Sequence, residues 1–151
     1  EKVGYNFQIL ELQAAMGRVQ LRKIKQIKEA RKRNFHYLYK HLGKYPLQLP
    51  YWLENADVCW FAFPITFYGN RGKLLRHLEN NGIETRPMFS GDISRHPAYV
   101  NSVYRVVGEL VEARVITEKS FWVSVHPSLT KSDLEYMVSV FDSFFKQNKK
   151  R

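Results

Sequence analysis

The chain has 151 residues, enough for one domain, and 44% of them are apolar, enough to build a core. Its formal charge is +10, yet residues 18–33 alone carry +7 and residues 146–151 another +4, so the excess sits in one helical stripe and one tail. No apolar run approaches a membrane span, and Glu1-Lys2-Val3-Gly4 has no signal-peptide pattern. Cys59 is the single cysteine, which excludes an internal disulfide framework or a thiolate-cluster metal site built by this chain alone. These features predict a cytoplasmic protein, and the missing initiator Met predicts a chain that begins inside a longer one.

Residues 8–43 read as one long helix. Leu12, Met16 and Val19 start an apolar stripe, Leu21, Ile24 and Ile27 continue it, and Phe35, Leu38 and Leu42 resume it. Gly43 is expected to supply a left-handed stop, with Pro46 and Pro50 forbidding continuation. Such a helix is predicted to bridge two domains or lie along a partner subunit. Residues 58–67 read as a strand that is apolar on both faces, hence central, with a bulge expected at Pro64. Asn70 is placed to cap a helix running to Asn81, and Asn81-Gly82-Ile83 reads as its left-handed end. Residues 83–88 predict a short strand interrupted by Pro87, and 89–100 a loop. A helix over 104–119, a strand on Phe121, Val123 and Val125, and a last helix follow. Thr130 and Asp133 should form a capping box, and Leu134, Met137, Val138, Phe141, Phe144 and Phe145 the last helix's core stripe. The order predicts an α+β fold: a small, mostly antiparallel sheet of about three strands with helices on one face. Residues 1–43 would be a junction and long helix, and 44–151 a small C-terminal domain.

Arg18, Arg22, Lys23, Lys25, Lys28, Arg31, Lys32 and Arg33 lie all around the first helix. They fit a solvated surface better than a nucleic-acid platform, because no aromatic residue interleaves among them. His36, His41, His77, His96 and His126 form no metal pattern. The segment from Thr85 to Tyr99 clusters Arg86, Arg95 and His96 with small residues. It reads equally as an anion-binding loop or as an ordinary surface loop. Asn6, ahead of the long helix, is suited to cap it or to offer its amide to an anion.

Taken together, GYNFQILELQAAMGRVQL, CWFAFPITF, NNGIETRPMFSGDISRHPAY, YRVVGELVEARVITEKSFWVSVHPSLT and DLEYMVSVFDSFF resemble the sugar-nucleotide enzymes of the DegT/DnrJ/EryC1/StrS family, in the family's order. Gln8 stands where the family carries a basic residue, and Leu10 where it carries Thr. TRPMFSGDISRHP, YRVVGEL and FWVSVHPSLT look closest to the branch of NDP-4-keto-6-deoxyhexose 3-dehydratases, with the aminotransferases as the alternative. The resemblance implies the small domain of a fold-type I enzyme, dimeric through its N-terminal segment and using PLP or PMP. It implies that the catalytic Lys or His, and any [2Fe-2S] cluster, lie upstream of this chain, which on its own would be inactive. It implies that Asn6, with Tyr5 beside it, reaches a neighbouring subunit's cofactor phosphate. It also implies that Arg86, Phe89, Ser90, Arg95 and His96 close over the nucleotide sugar.

Overall fold

The computed structural model describes residues 9–148. Tyr5 and Asn6 lie outside the described residues. Helix α1, Glu11–Leu42, matches the predicted span to within three residues. Its N-cap position is Leu10 rather than Asn6, and the side-chain oxygen of Gln13 accepts from the Leu10 N–H at 2.9 Å. The end also differs from expectation. Gly43 is right-handed, at φ −61°, and its N–H bonds Tyr39 O at 3.2 Å, so the chain leaves through an ordinary turn.

The two halves of α1 have different surroundings. Phe35, Leu38 and Leu42 are buried, whereas every residue from 9 to 26 is exposed, including Leu12, Met16, Leu21 and Ile24. The stripe read as continuous is therefore core only at its C-terminal end. Of the basic residues, Lys28 and Lys32 converge on Asp57.

Strands β1 (Ala62–Thr66), β2 (Thr85–Pro87) and β3 (Ser120–Ser124) form one antiparallel sheet in the order β1-β3-β2. The central strand is β3, not β1 as predicted. Pro64 explains the difference. The N–H of Thr66 points away from β3, to Gln48 O at 3.0 Å, and Pro64 lies two residues earlier with the same orientation. Its missing N–H thus falls on the open edge, where no ladder bond is lost. The register passes from Ala62↔Ser124 to Thr66↔Ser120 with no bulge, and residues 58–61 stay outside the strand.

Phe63, Ile65, Phe67, Phe121, Val123 and Val125 share the inner face of the sheet. They pack against Phe35, Leu38 and Leu42 of α1, Leu74 and Leu78 of α2 (Arg71–Asn80), and Leu134, Met137, Val140 and Phe141 of α4 (Lys131–Asn148). Phe35 is the aromatic hub, 4.9 Å from the Phe63 ring and stacked on Trp60 at 5.6 Å. Helix α2 is capped as expected. Asn70 Oδ1 accepts from the Lys73 N–H, and at the other end the Ile83 and Gly82 N–H groups bond Leu78 O and Glu79 O, each at 3.0 Å. Gly82 takes the positive φ, +73°, that this ending requires.

The capping box of α4 is reciprocal: Thr130 N–H to Asp133 Oδ2 at 2.8 Å, and Asp133 N–H to Thr130 Oγ1 at 3.2 Å. Thr130→Ala should lower stability by about 1 kcal/mol in urea denaturation. Helix α3 is shorter than predicted, Val111–Lys119 instead of 104–119. Gly108 at φ +78° and Leu110 at φ +50° lie in the left-handed region and stop any helix extending upstream. Among the described residues no helix is long and apolar enough to cross a membrane.

Candidate functional site

The segment that follows β2 is held in one shape by α3. A tight turn, Phe89 N–H to Pro87 O at 2.8 Å, brings the chain off the sheet with Phe89 at φ +47°. Gly91, at φ +55°, then runs against the α3 backbone. A Cβ there would sit 2.3 Å from Thr117 Oγ1, 2.7 Å from Thr117 N and 2.8 Å from Ala113 O. Only glycine permits this approach. The Thr117 hydroxyl accepts from the Asp92 N–H at 2.8 Å, with Ala113 O and Ser90 O within its reach as acceptors at 3.0 and 3.2 Å.

Asp92 is the polar centre of this latch. Its side chain is fully buried, accepts from the Ser94 N–H at 3.1 Å and the Ser94 hydroxyl at 2.5 Å, and faces Arg114 Nε at 3.4 Å. A single 3₁₀ turn, Ile93–Arg95, follows. The Ser94 hydroxyl, and after it the Ser94 N–H and the Arg114 charge, hold the Asp92 carboxyl below its usual range against the opposing effect of burial. A depressed folded pKa means that the carboxylate stabilises the latch above the unfolded value of about 3.9, and that this is lost as pH falls through the folded value. An NMR titration of the Ser94 amide should therefore show its midpoint below about 3.9. A midpoint above that value would contradict the assignment.

The five predicted substrate residues fall into two groups. Arg86 and Phe89 belong to the outer face of the sheet. Arg86 is exposed and pairs, among the described residues, with Glu84, and Phe89 faces Phe61 with ring centroids 6.5 Å apart. Ser90 and Arg95 are tied to α3, through Thr117 and through an Arg95–Glu118 ion pair of 2.9 Å. His96 is exposed; its Nδ1 accepts from the Ala98 N–H at 3.4 Å, and its ring lies 6.1 Å from that of Tyr99. A cavity of about 460 Å³ opens between the 3₁₀ turn and residues 104–110, lined by Ser94, Tyr99, Tyr104, Val107, Leu110 and Ala113 among others. None of the five lines it.

The sequence reading missed Gly91, Asp92, Arg114 and Thr117, which shape the loop from within and, at the half-exposed Arg114, from its rim. The available signal was Asp92 two residues before Ser94, the spacing of an Asx turn. Of the other histidines, His77 Nε2 lies 2.9 Å from Ser143 Oγ, and the exposed His126 has its Nδ1 2.7 Å from Ser128 Oγ. Among the described residues no group of His, Cys, Asp and Glu could hold a metal ion.

Comparison with known proteins places this architecture. The DegT/DnrJ/EryC1/StrS aminotransferase family matches residues 1–142. Lipopolysaccharide biosynthesis protein RfbH of Salmonella typhimurium is 41% identical over 152 residues, taking in 97% of this chain and 35% of that protein. The dTDP-4-dehydro-2,6-dideoxy-D-glucose 3-dehydratase of Saccharopolyspora spinosa is 37% identical over 147 residues, 94% of this chain and 32% of the relative. A crystal structure of a DegT DnrJ EryC1 StrS aminotransferase from Brucella abortus has a TM-score of 0.84 at 22% identity, covering 95% of this chain and 38% of its own, and shows the shared fold. The chain thus spans about a third of the length of the curated relatives it matches. With nearly its whole length matched, and with the small antiparallel sheet and helices of a fold-type I enzyme, the chain belongs to the DegT/DnrJ/EryC1/StrS aminotransferase family.

Proposed function

We propose that the chain is the substrate-closing C-terminal part of a PLP- or PMP-dependent 3-dehydratase. Its substrate would be an NDP-4-keto-6-deoxyhexose, in the making of deoxysugars for surface polysaccharide. The observation that carries this reading is the 37% identity, over 94% of the chain, to a protein named as a sugar-nucleotide 3-dehydratase. In the proposed homodimer the N-terminal segment lies along the partner, consistent with the exposed apolar residues of α1. Asn6 and Tyr5 are proposed to contact the neighbouring subunit's cofactor phosphate; no described residue is assigned to the cofactor. When bound, the cofactor supplies the electron sink for expelling a group beside a ketone.

The chain's own contribution is binding and orientation. Arg86 and Arg95 carry permanent planar charges suited to a diphosphate. Their present partners, Glu84 and Glu118, are exposed, and exposed ion pairs are worth little, so a diphosphate can displace them at small cost. Ser90 and His96 are proposed as hydroxyl contacts, and Phe89 as an apolar wall. No residue here is assigned a proton transfer, so the 151-residue chain alone should give no turnover with cofactor and substrate. Arg86→Gln in the intact protein should raise KM about tenfold or more, the loss of one charge-assisted contact.

The family description and the Brucella abortus structure, both named for aminotransferases, favour a second reading: a sugar-nucleotide aminotransferase. Mass spectrometry decides between them. The intact protein is given PLP, glutamate and an NDP-4-keto-6-deoxyhexose. Loss of the C3 hydroxyl from the sugar supports the dehydratase, whereas an amino sugar retaining that hydroxyl replaces it with the second reading.

A further inference from the structure

The outer face of the sheet carries an aromatic surface that the predicted substrate residues only border. In the register of the sheet, Trp122 of β3 stands directly between Pro64 of β1 and Arg86 of β2. Because side chains alternate along a strand, all three project from the face opposite the core. Trp122 is half-buried, although both strand neighbours, Phe121 and Val123, are fully buried on the other side. Phe61 meets the Trp122 indole edge-on, with centroids 5.4 Å apart, and Phe89 lies beyond Phe61. Phe61 and Phe89 are 54% and 76% exposed, so with the half-buried Trp122 they form a bare aromatic patch. Phe89 also takes its place through a positive φ of 47°, a conformation costly for a non-glycine residue and concentrated at functional sites.

From this arrangement we infer that Trp122, walled by Phe61 and Phe89, is the platform on which the hexose ring of the nucleotide sugar packs, and that it selects for a deoxygenated sugar. The inference rests on the proposed function and names the part of the substrate that this face takes. Among the described residues Arg86 is the one cation in register with Trp122, and directly opposed side chains on neighbouring strands are about 5 Å apart. A diphosphate held by Arg86 is bonded directly to the hexose, whereas the nucleobase is set off by a ribose. Of the two rings attached to the diphosphate, the 6-deoxyhexose carries a methyl group that the ribose lacks, and so suits the indole better. A 6-deoxyhexose presents a methyl group and ring C–H bonds, and these gain from an indole face that a fully hydroxylated ring would leave with unpaired hydroxyls. Trp122 touches substrate in this role but moves no proton.

Fluorine NMR of the intact protein, labelled with fluorotryptophan, tests the assignment. The resonance missing from Trp122→Phe identifies Trp122. GDP-fucose and dTDP-rhamnose serve as sugar nucleotides, GDP and dTDP as their sugar-free counterparts, and calorimetry verifies saturation. The Trp122 resonance should shift with a sugar nucleotide that binds and stay in place with the matching nucleoside diphosphate. Trp122→Ala should weaken the sugar nucleotide about tenfold while changing the diphosphate less than about twofold, and Trp122→Phe should restore most of the loss. An equal shift with the diphosphate alone, or equal weakening of both ligands, overturns the inference in favour of a base contact or a structural role. A silent Trp122 under verified saturation also overturns it, and means that the rest of the protein covers this face. If calorimetry finds no sugar-nucleotide binding at all, the proposed function itself fails and takes the platform with it.

Discussion

Gly91→Ala is expected to destabilise the chain by about 2–4 kcal/mol, combining overpacking against a backbone with a left-handed φ that alanine disfavours. The atoms its Cβ would meet are the backbone N of Thr117 and the O of Ala113, at 2.7 and 2.8 Å, and neither can swing aside as a long side chain would. Either α3 must move away from the loop or the loop must leave α3. Both movements break the Asp92–Thr117 hydrogen bond and displace Ser90 and Arg95. Gly82→Ala is the internal control. Gly82 has a comparable φ of +73° with nothing within 4 Å of the added methyl, so only the conformational part remains, about 1 kcal/mol. Urea denaturation of the two variants gives the comparison, and hydrogen exchange at Asp92 and Ser94 locates the damage. Equal losses in the two variants would mean that the close packing of Gly91 on α3 does not exist in solution.

Phe35→Ala should be more damaging, at about 3–5 kcal/mol. Phe35 is 1% exposed, and Tyr39, Trp52, Trp60 and Phe63 all pack their rings around it, so its removal opens a cavity where α1 meets the sheet. Met16→Ala, one of the exposed apolar positions in the other half of the same helix, should stay within about 0.5 kcal/mol. Denaturant midpoints, with tryptophan emission reporting on Trp52 and Trp60, measure both. A large loss from Met16→Ala in the isolated chain would show that the N-terminal half of α1 is covered in solution by a second copy.

Much of this architecture is local, and local chemistry was legible. Asn70 and Thr130 announced their caps because a short polar side chain has few better partners than the free N–H groups of a helix start. Gly82 announced its stop because the following Ile83 completes the hydrogen-bonding pattern. The alternation at Phe121, Val123 and Val125 located β3 because burial on one face is written with a period of two. The limits of α3 were not legible. Val106 and Val107 continue a helical pattern, and only the positive φ values at Gly108 and Leu110 interrupt it.

By itself the sequence determined the element order, the α+β class, the caps, the family and the segment between Thr85 and Tyr99 where the substrate residues were sought. Each of these depends on neighbours along the chain or on whole-segment likeness. The tertiary structure decided what depends on partners distant in sequence. It placed β1 at the edge, where Pro64 loses no bond, and buried one half of an apolar stripe while leaving the other half bare. It fastened Asp92 and Gly91 to a helix more than twenty residues away, and divided the predicted substrate residues between the sheet face and α3. Periodicity reports that a side chain is apolar and which way it points. It does not report what stands opposite, and at Pro64, Met16 and Trp122 that opposite surface decides the role of the residue.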